Sequence, residues 1–262
     1  MPDFTLIEVE HAGAVATVRL QRAEVHNAFN ARMIGELMTC FEMLADDTTV
    51  RAVILTGTGR SFCAGADIQW MQASLDFTYD ENIADADRLA AMYEAINTLP
   101  KPLIGRINGA AIGGGAGLVA CCDVAIAVEH AVFGFGEVRL GILPAVIARY
   151  VVPTIGPSHA RALFVTGARF SAARAAEIGL VHQVVAVDTL DTAVTEVVAD
   201  VLRSGPAATG RAKALVEAMI TLPPEERRAY SVRAIAEARM SPEGQAGLQA
   251  FLRKAPPPWS PE

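Results

Sequence analysis

Two small-residue turns, each placed directly after an apolar strand pattern, limit this chain's possible folds more than any other feature. One is Ser61-Phe-Cys-Ala-Gly-Ala-Asp-Ile68, which follows the buried strand pattern Arg51-Ala-Val-Ile-Leu-Thr56. The other is Asn108-Gly-Ala-Ala-Ile-Gly-Gly-Gly-Ala-Gly-Leu118, which follows Leu103-Ile-Gly-Arg-Ile107. Each runs on into a predicted helix. Residues without bulky side chains let backbone N–H groups approach a ligand, and a helix start adds partial positive charge there. Such turns hold a phosphate or an oxyanion. Taken singly, each reads equally well as a tight turn before a packed helix. Neither is a nucleotide loop, because Gly113-Gly-Gly115 does not fit GxGxxG and no GKS or GKT follows it.

Around these turns strand and helix patterns alternate, which predicts an α/β fold. Phe4–Val9 and Val15–Leu20 read as a hairpin about His11-Ala12-Gly13. Asn30 is a candidate N-cap for a helix carrying Met33, Ile34, Leu37, Met38, Phe41 and Leu44 at helical spacing. The polar segment around Asp76–Asp85 reads as exposed and mobile. It leads into a helix through Leu89, Met92, Tyr93 and Ile96 that stops at Leu99-Pro100-Lys101-Pro102. Val124–Val128 is a further strand. From Asp188 onward the pattern is helical, over Thr189–Arg203, Ala207–Thr221, Pro224–Arg239 and Pro242–Lys254. The prolines of Ala255-Pro-Pro-Pro-Trp259 cannot continue it. This helical end reads as a second domain or an oligomerisation arm.

The balance of charge narrows the partners. A net charge of -7 and a pI of about 5.3 give no general attraction for nucleic acid or an anionic membrane. No run of about 20 apolar residues is free of charges and glycine breaks, and the first residues lack a basic stretch followed by an apolar one. Neither a transmembrane helix nor a secretory signal is expected. Cys40, Cys63, Cys121 and Cys122 fit neither a zinc site nor a CxxC pair, so a reducing cytoplasm is the expected location. The histidines are scattered without an HExxH, and no metal is expected.

Read in order, the segments resemble the crotonase (enoyl-CoA hydratase/isomerase) superfamily. Arg22-Ala-Glu-Val-His-Asn-Ala-Phe29 is similar to its early R-P-x-x-x-N-A-[LF] element, and Ser61–Ile68 to its F-x-A-G-x-D-[IL] segment. Asn108–Ala127 resembles N-G-x-x-x-G-G-G followed by C-D-[IV]-x-[IV]-A, and Phe133–Pro144 resembles F-x-x-x-E-x-x-x-G-x-x-P. The ending, Gly244 to Trp259, is similar to the family's last helix and P-x-W finish. The resemblance implies a spiral of ββα units over residues 1–195, binding acyl-CoA and carrying the catalysis. It implies a helical trimerisation region over 196–262, in a homotrimer or homohexamer. No separate cofactor is implied, since coenzyme A is part of the substrate.

The same resemblance assigns roles. The N–H groups of Ala66 and Gly114 would form an oxyanion hole for the thioester carbonyl, where one such donor contributes about 3 kcal/mol to the barrier. Ala64, Ala66, Asp67, Ile68 and Gln69 would line the coenzyme A cleft, with Glu24 and Val25 at the nucleotide end. Phe251 and Lys254 would approach coenzyme A from a neighbouring subunit, Lys254 as a phosphate partner; a solvated lysine is the plain alternative. Glu137 would exchange a proton at the thioester's α-carbon. A carboxylate in an apolar pocket has a raised pKa suited to that work. The plain alternative is an ion pair with Arg139.

One departure matters most. Typical hydratases carry a water-orienting glutamate where this chain has Gly117. Ala145-Val-Ile-Ala148 also replaces a glycine-rich stretch. With Cys121-Cys-Asp123 and Glu137–Ile147, these features look closest to bacterial methylglutaconyl-CoA hydratases, which act on branched or dicarboxylic enoyl-CoA. Hydration of a 2-enoyl-CoA is the leading expectation. A 3-enoyl to 2-enoyl isomerase needs only one carboxylate and is its rival, and a non-catalytic acyl-CoA-binding or RNA-binding relative is the third reading. Cys63 reads as a buried thiol. His26 reads as a cleft neighbour or hairpin packing, Trp70 and Met71 as acyl-pocket or core residues, and Arg139 as a structural ion pair or a partner for a substrate carboxylate.

Overall fold

The computed structural model describes residues 3–260. Strands β1 (Ile7–Ala12) and β2 (Val15–Leu20) form the expected antiparallel hairpin, but its first strand lies later than Phe4–Val9. Ala12 pairs with Val15, so the turn is only Gly13-Ala14, and Gly13 supplies the φ of 59° that so tight a turn requires. Asn30 caps α1 (Ala31–Asp46) by accepting from the Met33 amide at 3.0 Å. Met33, Ile34, Leu37, Phe41 and Leu44 are buried along one face, while Met38 is only half-buried.

Two repeating units follow. The first is β3 (Ala52–Gly57), β4 (Ser61–Cys63) and α2 (Ile68–Ala73). The second, after α3 (Tyr79–Asn97), is β5 (Leu103–Ile107), β6 (Ala110–Ile112) and α4 (Gly114–Ala120). In a third, β7 (Val124–Val128) and β8 (Val132–Gly134) lead to α5 (Ala145–Thr166), broken at Gly156 where φ is 76°. The chain then runs through β9 (Arg169–Ser171), α6 (Ala172–Glu177) and β10 (Gln183–Val185). Each unit gives its first strand to a six-stranded sheet, β1-β2-β3-β5-β7-β10, and its second to a four-stranded sheet, β4-β6-β8-β9. This is the expected spiral of ββα units.

The alternation brings the two small-residue turns together. Each contains a short strand that the sequence pattern did not reveal, and β4 pairs parallel to β6 with Ser61 opposite Ala110 and Cys63 opposite Ala111. The segment around Asp76–Asp85 is exposed as expected, but it is helical from Tyr79. Thr78 and Glu81 form a reciprocal capping box that satisfies the first-turn amides, so a polar composition still starts a helix.

Helix α7 (Leu190–Arg203) packs on β3, β5 and β7, so the layer against the sheet continues past residue 195 to Arg203. Helices α8 (Pro206–Thr221), α9 (Pro224–Met240) and α10 (Pro242–Leu252) pack on one another. Among the described residues, no helix is long and apolar enough to cross a membrane, and no group of three His, Cys, Asp or Glu side chains is arranged to hold a metal ion.

Candidate active site

The first turn is held from both sides of Ala66. The Phe29 N–H donates to the Gly65 carbonyl at 2.8 Å, and the Asp67 N–H donates to the Phe29 carbonyl at 3.0 Å. This isolated parallel bridge fixes Ala66 without using its amide. Asp67 is buried and its carboxylate is committed. It caps α2 by accepting from the Gln69 amide at 2.7 Å, and it pairs with Arg22 at 2.8 Å. Burial pushes its pKa up, but the Gln69 amide and Arg22 outweigh that and hold it below the usual carboxylate range. The Asp67 side chain therefore anchors the turn, because a helix start and a guanidinium already claim its oxygens.

The second turn is anchored one residue earlier. Gly113, at φ 55°, donates its N–H to Gly134 at 2.8 Å. Gly114 then begins α4, so its own N–H has no intrahelical acceptor. Among the described residues, neither the Ala66 nor the Gly114 amide donates to any backbone or side-chain group. The two turns abut. A Cβ on Gly65 would lie 3.1 Å from the Gly114 nitrogen and 2.7 Å from the Ile112 oxygen. Two free donors thus stand at adjoining turns, in the arrangement that stabilises developing negative charge on a carbonyl oxygen.

Glu137 stands beside them. It opens a 3-10 turn, Glu137–Leu140, just after β8, and a Cβ on Gly113 would lie 3.1 Å from its Oε1. Its Oε2 is buried and has no hydrogen-bond partner among the described residues. Burial raises its pKa above the ordinary carboxylate value. No ion pair with Arg139 forms. That side chain is exposed and packs its Cγ and Nε against Gly167, so the carboxylate keeps its freedom to take or give a proton.

The residue model for the enoyl-CoA hydratase/isomerase family matches positions 10–262 of this sequence. The chain belongs to the enoyl-CoA hydratase/isomerase family. Solved structures agree over nearly its whole length. It is 35% identical to an enoyl-CoA hydratase from Shewanella pealeana, covering 98% of this chain and 96% of that one, with a TM-score of 0.93. It is 35% identical to Pseudomonas aeruginosa AtuE, covering 98% and 100%, with a TM-score of 0.94. An enoyl-CoA hydratase from Mycobacterium smegmatis is 32% identical, covering 97% and 99%, with a TM-score of 0.92.

Within this family member the remaining sequence-predicted residues divide into two groups. Ala64 is half-buried in the first turn; Ile68 and Gln69 are exposed where α2 begins; Glu24 and Val25 are exposed on the 3-10 turn Ala23–Val25. Phe251 and Lys254 are exposed at the end of α10, whose contacts are with α8 and α9. Cys63 is fully buried, burial pushes its thiol up to about 12, and it points at the Asn27 carbonyl at 3.2 Å, as a structural thiol does. His26 is engaged with Ser61 Oγ at 3.0 Å and with Arg60. Trp70 packs against Phe29, ring centroids 6.3 Å apart.

Two contributors carry no role in the sequence reading. Asn27 is fully buried, and its side-chain amide donates to Thr58 and Ser61 carbonyls at 2.8 Å each, tying the early element to the first turn. Phe29 supplies both backbone bonds to that turn, and its ring also touches Gly114. A Cβ there would overlap Phe29 Cζ and lie 3.0 Å from Cε1. Both belong to the Arg22–Phe29 motif, whose asparagine and final aromatic were the available signal.

Proposed function

We propose that the protein hydrates a 2-enoyl-CoA, with Glu137 as its only carboxylate acid/base. The observation that carries this reading is the pair of free amides at Ala66 and Gly114 beside a buried carboxylate oxygen without a partner. The Glu137 carboxylate takes a proton from water as the water oxygen bonds to C3. The electron pair of the C2=C3 bond moves through to the thioester oxygen, where the two amides hold the enolate. Glu137 then returns its proton to C2, and the carboxylate is restored. Burial keeps the pKa of that side chain high enough for both halves of the cycle.

A second reading is favoured by Gly117, where a Cβ would overlap Ile147 Cγ2 and no side chain supplies a second acid. Without a further acid, Glu137 suits an isomerase that removes a proton from C2 of a 3-enoyl-CoA and returns it at C4. Assays with 2-enoyl-CoA and 3-enoyl-CoA at matched concentration separate the two. Turnover of the 3-enoyl compound alone would replace the hydratase reading with the isomerase one.

For the acyl group, the likeness of Gly117, Cys121–Asp123 and Glu137–Ile147 to methylglutaconyl-CoA hydratases supports a branched or dicarboxylic chain. A panel of acyl-CoA thioesters that includes 3-methylglutaconyl-CoA tests it. We propose self-association through the helical end as a trimer or a pair of trimers, supported by exposed Val232, Ile235, Met240, Leu248 and Phe251 on α9 and α10. Light scattering that finds a monomer would remove that part.

A further inference from the structure

Helix α3 brings one buried polar group to the oxyanion hole that neither the motifs nor the proposed chemistry uses. Tyr93 is fully buried, and its hydroxyl donates to the Gly114 carbonyl at 2.6 Å. Its ring packs against Tyr150, with centroids 5.7 Å apart, so the hydroxyl is delivered by a rigid aromatic pair. Gly114 faces two groups. A Cβ on it would lie 2.9 Å from the Tyr93 hydroxyl and would overlap Phe29 Cζ.

We propose that Tyr93 is a positioning residue for catalysis, whose hydroxyl fixes Gly114 so that the neighbouring N–H stays aimed at the thioester oxygen. The inference rests on the oxyanion-hole reading of Ala66 and Gly114. An amide aimed in advance lowers the barrier because no reorganisation is needed when charge develops. Gly114 is the first residue of a short helix. The glycine has no side chain to pack, and α4 spans only seven residues. Phe29 limits Gly114 by contact alone, and Tyr93 adds a directional side-chain bond to its carbonyl. Burial, first of all, and then the nearby Cys63, Cys121 and Glu137 keep the phenol protonated, so it remains a donor throughout the working pH range.

Tyr93→Phe removes the oxygen and keeps the ring. The variant is expected to lose about 10-fold in kcat while KM for the acyl-CoA substrate moves less than about 2-fold, because the bond aims a donor toward charge that develops only in the transition state. A second readout is spectroscopic. A 3-oxoacyl-CoA forms an enolate with its own near-ultraviolet band, and a well-aimed hole lowers the apparent pKa of that bound ligand. Tyr93→Phe should raise it by about one unit, which is the same 10-fold change, while affinity for a saturated acyl-CoA stays put. If the band and its pKa are as in the wild type, or if kcat and saturated acyl-CoA affinity fall together, Tyr93 has no positioning role. If the wild-type protein itself forms no enolate, the oxyanion-hole reading falls and takes this inference with it.

Discussion

Gly117 and Ile147 share one corner beside the candidate active site. A Cβ on Gly117 would overlap Cγ2 of Ile147 and lie 2.9 Å from its Cβ, with the Tyr93 hydroxyl 3.1 Å away. The place where the resemblance puts a second, water-orienting acid is therefore filled from α5, and a bare change of residue at 117 cannot restore one. Gly117→Ala is expected to cost about 1–3 kcal/mol through overpacking, read as a lower urea midpoint. Placed in an Ile147→Ala background, the same change should cost much less, because the methyl enters the space left by the branched chain. Strictly additive losses in the double variant would mean that the two positions do not share the corner.

Glu137→Gln tests the proton-transfer role. Its carboxylate lies against Gly113 and beside the two free amides, so the amide replacement keeps the shape and removes the proton chemistry. Turnover should fall by about 10²- to 10⁴-fold, while calorimetry with a saturated acyl-CoA should give wild-type affinity. A variant with full activity would show that another group carries the proton.

The same side chain ties stability to pH. Burial raises its folded pKa above the unfolded value. Between those two values the folded state binds more protons than the unfolded state, so stability falls as pH rises through the window. Glutamine has no such slope. Relative to the wild type, Glu137→Gln should be the more stable protein at neutral pH and should lose that advantage near about pH 4. Thermal unfolding of the pair across that range measures it. A stability difference that ignores pH would mean that the carboxyl titrates normally. Catalysis should follow the same group, with turnover rising as Glu137 deprotonates above the usual carboxylate range.

Much of this site is legible in the sequence, because backbone chemistry leaves a strong mark. A donor that works through its amide needs a turn with small residues, and the 61–68 and 108–118 segments display that need directly. The strand Val124–Val128 and the Asn30 cap are legible for the same local reason. What is not local is harder to read. The short strands β4 and β6 hold only three residues each, and their pairing appears only when the two sheets are assembled. Asp67 illustrates the limit: the partner that holds its side chain, Arg22, is 45 residues away in sequence. Tyr93 sits at an ordinary apolar spacing on its helix, so periodicity marks it as core and says nothing about its hydroxyl.

The Arg22–Asp67 pair gives the last test, because it separates holding the turn from doing the chemistry. Both side chains are largely shielded, at 13% and 7% exposure. Arg22→Leu would leave a buried carboxylate with only its amide donors, and removing one partner of such a pair costs about 3–5 kcal/mol. The lower end is expected here, since the Gln69 amide still serves Asp67. Because the folded pKa of Asp67 is depressed, its contribution is present above the unfolded carboxylate value and is lost as pH falls through the folded one. Removing Arg22 raises that folded pKa, so the acid limb of the variant's stability curve should begin at higher pH than in the wild type. Denaturant titrations at several pH values follow this directly. Activity should decline with the anchor, because Asp67 adjoins Ala66 and a loosened turn no longer aims its amide. Unchanged stability together with a large rise in the Kd for acyl-CoA would instead mean that the pair serves as a ligand contact and does not anchor the turn.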